Sequence, residues 1–99
     1  MEKIQILVVG RHPEILATVV RLVNSNPDWN ATGCLSDEEA IAAFKELDFK
    51  VVLLGGGVDG TSESLLNTHF TTIRPDIKIV QHFGGGSGLL SAEIFEALK

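Results

Sequence analysis

Ile4-Gln5-Ile6-Leu7-Val8-Val9-Gly10-Arg11-His12-Pro13 is the stretch that decides the fold. Ile4–Val9 is a short, β-branched run, apolar at every position but Gln5, that stops at a glycine. A run of that length without polar alternation suits a strand covered on both faces, as in a parallel sheet. Pro13 then stands where a first helical residue would, its missing amide costing nothing there. Ile15, Leu16, Val19, Val20, Leu22 and Val23 follow at helical spacing. Asn24-Ser25-Asn26-Pro27 ends that helix.

The same unit repeats outward from this start. Trp29–Leu35 reads as a weaker strand, with Trp29, Ala31 and Gly33 alternating against Asn30, Thr32 and Cys34. Ser36 and Glu39 form a capping-box pattern that opens a helix through Ala40, Ile41, Phe44 and Leu47. Phe49–Leu54 is a third strand, ended by Gly55-Gly56-Gly57. Thr61 or Ser62 is expected to cap a helix through Leu65, Leu66, Phe70 and Ile73, which Arg74-Pro75-Asp76 breaks. Ile77–Phe83 is a fourth strand. Gly84-Gly85-Gly86-Ser87-Gly88 leads to a last helix with Leu90, Ile94, Phe95 and Leu98 on one face. Strand–helix alternation with short, right-handed connections gives a parallel sheet with helices on both faces. Ile6–Val9 and Val51–Leu54 are the most apolar strands and belong in its middle, so the expected order is 2-1-3-4.

Composition bounds the rest. A chain of 99 residues has the size of one domain, expected here to span 1–99. Its 44% hydrophobic content argues against disorder. The net charge is -5 and the basic residues are scattered from Lys3 to Lys99, which disfavours direct nucleic-acid binding. Cys34 is the only cysteine, so no intrachain disulfide can form. The start of the chain does not read as a signal peptide, and no apolar run spans a bilayer. A cytoplasmic protein without a membrane partner is expected.

With these elements placed, the chain resembles the receiver domains of response regulators, above all those whose first strand ends in two aspartates followed by His-Pro. Ile6–Pro13 matches that segment with Gly10 and Arg11 in place of the acidic pair. Residues 30–40 are similar to the second strand and the start of the second helix. Lys50–Gly55 matches the third strand, whose last residue in the family is the phosphoacceptor aspartate. Asp59-Gly60 resembles the turn beyond it, and Arg74–Val80 the approach to strand four. The likeness covers residues 4–83. It implies an α/β, doubly wound, flavodoxin-like three-layer sandwich with four parallel strands in the order 2-1-3-4. The family's fifth strand, with its lysine, has no counterpart here, and its switch hydroxyl aligns with Phe83. Phosphotransfer to a carboxylate needs an acceptor oxygen and a Mg²⁺ held by hard oxygen ligands. Gly55, Gly10 and Arg11 supply neither, so the resemblance implies a shortened pseudo-receiver that is not an enzyme and carries no cofactor.

The loops after the strands' carboxyl ends form the ligand edge of such sheets. Candidate ligand-binding residues are Gly10, Arg11, His12, Gly55, Gly56, Gly57, Asp59, Gly84, Gly85 and Ser87. Glycine lets backbone amides approach an anion; the simpler alternative is that these glycines only allow tight turns, and it is preferred. His82 with Asp59 would make a general-base pair if they met, but a satisfied polar histidine is the commoner case. No close metal-ligand spacing occurs among His12, His69, His82 and Cys34. Trp29 suits packing over the sheet edge better than an exposed anchor, and Asp37-Glu38-Glu39 suits a helix first turn better than a metal or partner patch.

The leading functional reading is a non-catalytic protein-interaction module in signal transduction or transcription regulation, not phosphorylated. The alternative is a small-ligand sensor that takes an anionic metabolite at the glycine loops. A homodimer is expected, because strand four would be an open edge. Ile79, Phe83, Leu90, Ile94 and Phe95 are the candidate interface residues.

Overall fold

A computed structural model of the chain describes residues 3–55, 58–81 and 94–98. The strands are β1 (Ile4–Val9), β2 (Trp29–Cys34), β3 (Phe49–Leu54) and β4 (Lys78–Gln81), and the helices α1 (Pro13–Asn24), α2 (Asp37–Glu46) and α3 (Gly60–Ile73). Residues 94–97 form a further helical turn. The strands pair in parallel in the order β2-β1-β3-β4, as the apolar content of β1 and β3 requires. Between β1 and β3 the register slips: Gln5 faces Phe49 while Ile6 faces Val51, leaving Lys50 as the extra residue.

Alternation along the strands builds two cores. Leu7, Val9, Val52 and Leu54 face α2 and α3 and meet Ala40, Phe44, Leu66 and Phe70. Ile6, Val8, Val51 and Leu53 face the other way and meet Leu16 and Val23 of α1, with Ile94. The α2/α3 face is the aromatic one. The Phe44 ring lies 4.4 Å from Phe70 and 6.1 Å from Phe49, separations at which ring pairs attract beyond their buried area.

Local chemistry sets the boundaries. The carbonyl of His12, in extended conformation, accepts the Leu16 amide at 2.8 Å and so opens α1. Asn24 Oδ1 accepts the Ala31 amide at 2.8 Å and ties the end of α1 to β2. Gly33 lets α1 sit directly on β2, since a Cβ there would fall 2.9 Å from Val20 Cγ2 and 3.3 Å from Leu16 Cγ. Ser36 Oγ accepts the Glu39 amide at 3.1 Å, as the capping box predicts. The return arm of that box reaches the Ser36 hydroxyl, at 3.2 Å from Glu39 Oε1.

Three expectations are corrected in detail. Asp59, not Thr61 or Ser62, caps α3: its Oδ1 accepts the Ser62 amide at 2.8 Å, so the helix starts two or three residues earlier than expected, at Gly60. β2 stops at Cys34. β4 starts at Lys78, because Ile77 belongs to the turn that closes with its amide on Arg74 O at 3.0 Å. The expected absence of a fifth strand concerns residues 82–93, which lie outside the described residues.

Candidate functional site

The carboxyl ends of β1, β2 and β3 bring three loops to one edge of the sheet. Arg11, two residues beyond β1, fills the space between them. Its Nη1 donates to Leu35 O at 3.0 Å, at the end of β2. Its Nη2 donates to Asp37 Oδ1 in a charge-assisted hydrogen bond and to Ser62 Oγ at 3.2 Å. Asp37 is the first residue of α2 and Ser62 lies in the first turn of α3. One guanidinium therefore joins the β1–α1 loop, the β2–α2 loop and the start of α3. Arg is suited to this because its planar fork aims several donors at once.

The pair is part-buried, with side-chain exposures of 27% for Arg11 and 20% for Asp37. Burial by itself would raise the Asp37 carboxyl. The hydrogen bonds from Arg11 and Ser62 and the Arg11 charge outweigh it and hold the carboxyl below the usual carboxylate range. The Cys34 thiol nearby is buried at the end of β2. Burial, then the Glu39 charge, pushes it up, which leaves it a poor nucleophile.

Gly55 follows β3 directly. Its amide donates to Val9 O at 2.7 Å, and a Cβ there would come 3.2 Å from the same oxygen. A Cβ on Gly10 would meet only Leu16 side-chain atoms, at 3.8 Å and beyond. Neither glycine has the left-handed backbone that would demand its residue type, and the close approach to Val9 O is what favours glycine at 55. His12 makes no side-chain capping bond. Together with Val8, Ile15, Leu16 and Val19 it lines an apolar hollow of about 20 Å³ beside Gly10 and Gly55, room for one water. The Asp59 carboxylate is engaged as the α3 cap.

Of the sequence-predicted residues, the structure thus brings Gly10, Arg11, His12 and Gly55 together. Gly56, Gly57, Gly84, Gly85 and Ser87 lie outside the described residues, as do His82, Phe83 and Leu90. Ile94 is fully buried against its own sheet, which corrects its assignment to an interface. Phe95 is 55% exposed, and its ring lies 4.9 Å from that of the buried Trp29. Ile79 is half-buried on β4, an edge strand among the described residues. The sequence favours Asp37 and Ser62 as helix-start residues and does not pair either with Arg11. The signal that could have found them is Arg11, a lone cation at an edge where β2 adjoins β1.

The opposite edge holds a second braced arginine. Arg74, just past α3, donates from Nη1 to Phe49 O at 3.0 Å and pairs through Nη2 with Asp48 Oδ1 at 3.2 Å. Its guanidinium carbon stands 4.9 Å over the Phe44 ring.

No family model matches this chain, and no curated protein does. Solved structures do match. A response regulator receiver domain protein (CheY-like) from Methanospirillum hungatei aligns over 97% of this chain and 76% of its own length, at 18% identity and a TM-score of 0.72. The signal receiver domain of an HD domain-containing protein from Pseudomonas fluorescens aligns over the same shares, at 15% identity and a TM-score of 0.68. A receiver domain protein from Clostridium thermocellum aligns over 94% of this chain and 75% of its own, at 17% identity and a TM-score of 0.67. The chain has the fold of a receiver. Among the described residues, no group of three or more His, Cys, Asp or Glu side chains could hold a metal ion, and no helix is long and apolar enough to cross a membrane. The Mg²⁺ that the receiver fold implies does not fit the residues present at the β1 end, where Gly10 offers no side chain and Arg11 is itself a cation.

Proposed function

We propose that this chain is a receiver-like, non-catalytic protein-interaction module of signal transduction or transcription regulation that is not phosphorylated. The observation that carries this reading is the end of β3. Gly55 has no side-chain oxygen where the receiver resemblance places the phosphoacceptor, and the neighbouring charge is the Arg11 guanidinium, already held by Asp37. An in-line transfer to a carboxylate has no carboxylate to reach there. A frame kept without its chemistry still presents surfaces. Cytoplasmic placement and a homodimer belong to the same proposal, with Ile79 on the β4 edge and the exposed Phe95 as the described residues at stake.

The anionic-ligand alternative has less to work with. Arg11 already has three partners, and the hollow beside Gly55 is apolar with room for only one water. Incubation with acetyl phosphate and Mg²⁺, followed by intact mass measurement, tests the proposal. The expected result is an unmodified chain. A base-labile phosphoryl adduct would overturn it. A thermal-shift panel of anionic metabolites separates the alternative: no stabilisation is expected, and a clear shift that disappears in Arg11→Ala would favour the sensor. Light scattering should give a mass near twice 10.7 kDa, and a monomer would remove the homodimer from the proposal.

A further inference from the structure

The guanidinium of Arg11 stands between two helix starts. Asp37 and Ser62 occupy the first turns of α2 and α3, whose free amides carry partial positive charge. A cation there is unfavourable by itself. It is held because Asp37 supplies a full negative charge and because Leu35 O and Ser62 Oγ take two further donors. Arg11 thus bonds Asp37 and Ser62 from the same nitrogen, and Ser62 also helps to lower the Asp37 carboxyl. The bonds span 24, 26 and 51 residues of sequence, so each links segments that the backbone leaves independent.

From this geometry we infer that Arg11 is a tethered cation that clamps the starts of α2 and α3 to the end of β1, so that the α2/α3 surface is fixed in one arrangement without any phosphodonor or metal. A diffusible cation would bridge loops in proportion to its concentration. A side chain bridges them at all times, which makes the surface constitutive rather than switched. The inference rests on the interaction-module reading and adds to it how the surface is regulated: it is not.

The electrostatics give the clamp a signature that a plain surface ion pair lacks. Removing Asp37 leaves the part-buried Arg11 guanidinium without its ion-pair partner, whereas removing Arg11 leaves Asp37 at a helix start, where a carboxylate belongs. Asp37→Ala should therefore harm the edge more than Arg11→Ala does. Arg11→Ala in the Asp37→Ala background should restore part of the loss.

Amide hydrogen exchange on the full chain tests this. In Arg11→Ala, exchange should rise roughly tenfold in residues 36–40 and 60–64, the equivalent of about one charge-assisted hydrogen bond. Residues 6–9 and 51–54 should keep their rates. Asp37→Ala should show the larger rise in the same two segments, reduced in the double variant. Millimolar Mg²⁺ should leave the wild-type pattern unchanged. Unchanged exchange in both segments, an equal rise spread over β1 and β3, or protection gained on adding Mg²⁺ would each overturn the clamp. If Arg11→Ala does not fold, Arg11→Gln keeps a long polar side chain and loses the charge. A local rise in it supports the clamp, and wild-type exchange overturns it. Failure of the parent reading is separate: a phosphoryl adduct removes that reading whatever the exchange rates, and flat exchange removes the clamp whether or not an adduct forms.

Discussion

The two edges of the sheet carry matching devices with different consequences. At the carboxyl edge Arg11 binds a strand-end carbonyl, Leu35 O, and an aspartate, Asp37. At the amino edge Arg74 binds a strand-start carbonyl, Phe49 O, and an aspartate, Asp48. The partners differ in what lies behind them. Arg74 rests on the Phe44 ring, the centre of the aromatic core, and so is continuous with packing. Arg11 rests on loops and helix starts. The same pair of interactions thus finishes a core at one end and ties loops and helix starts together at the other. Position in the fold, not the chemistry of the pair, decides which.

Several measurements would break or sharpen this contrast. The largest effect should come from Phe44→Ala, which removes the ring under Arg74 and opens the α2/α3 core. A cost of about 4 kcal/mol is expected in urea unfolding. Arg74→Ala should come next, at about 2 kcal/mol, mostly from the part-buried bond to Phe49 O and the cation–ring contact. Its Asp48 partner has a side chain 68% exposed and adds little. Arg11→Ala should cost less, about 1 kcal/mol, after solvent screening of a pair still a fifth to a quarter exposed. If Arg11→Ala proved costlier than Arg74→Ala in global unfolding, the contrast between the two edges would fail.

Acid separates the edges in another way. The folded state holds the Asp37 carboxyl below its ordinary range, so the unfolded chain takes up its proton first as pH drops. The stability this group contributes is complete above the ordinary carboxylate range and is lost as pH falls through the lowered folded value. Asp37→Asn should flatten that part of the stability–pH curve, and a curve identical to wild type would contradict it. The smallest effect belongs to Gly10→Ala. A Cβ there finds ordinary contact with Leu16 at 3.8 Å, so stability should stay within about 0.5 kcal/mol of wild type.

The frame was legible because each of its parts is local. Ile4–Val9, Pro13–Asn24 and Phe49–Leu54 fall where a largely apolar run, a proline at a helix start and a polar Pro-containing stop place them. The sheet order followed from which strands tolerate cover on both faces. The carboxyl edge was half legible. Arg11 stood out as a cation in an odd place, but its counter-ion is 26 residues away and was absorbed into the reading of a helix first turn. Pairing them needs the strand order first and the loop geometry second. Arg74 was passed over for the same reason. Arg74-Pro75-Asp76 is an obvious helix stop, and nothing in that tripeptide points back 25 residues to the Phe49 carbonyl.

The contact between Gly55 and the end of β1 has a meaning for anyone wishing to turn this chain into a phosphate-responsive device. Writing aspartate at position 55 adds a Cβ 3.2 Å from Val9 O, an oxygen that the Gly55 amide holds in place. The new carboxylate would also arrive beside helix starts already capped by Ser36 and Asp59 and an arginine with its own counter-ion. Under the receiver-like reading proposed above, an aspartate at 55 alone therefore supplies no working acceptor site. Under that reading Gly10, Arg11 and Gly55 have to change as a set, a path that substitution one residue at a time would find flat before it found it uphill.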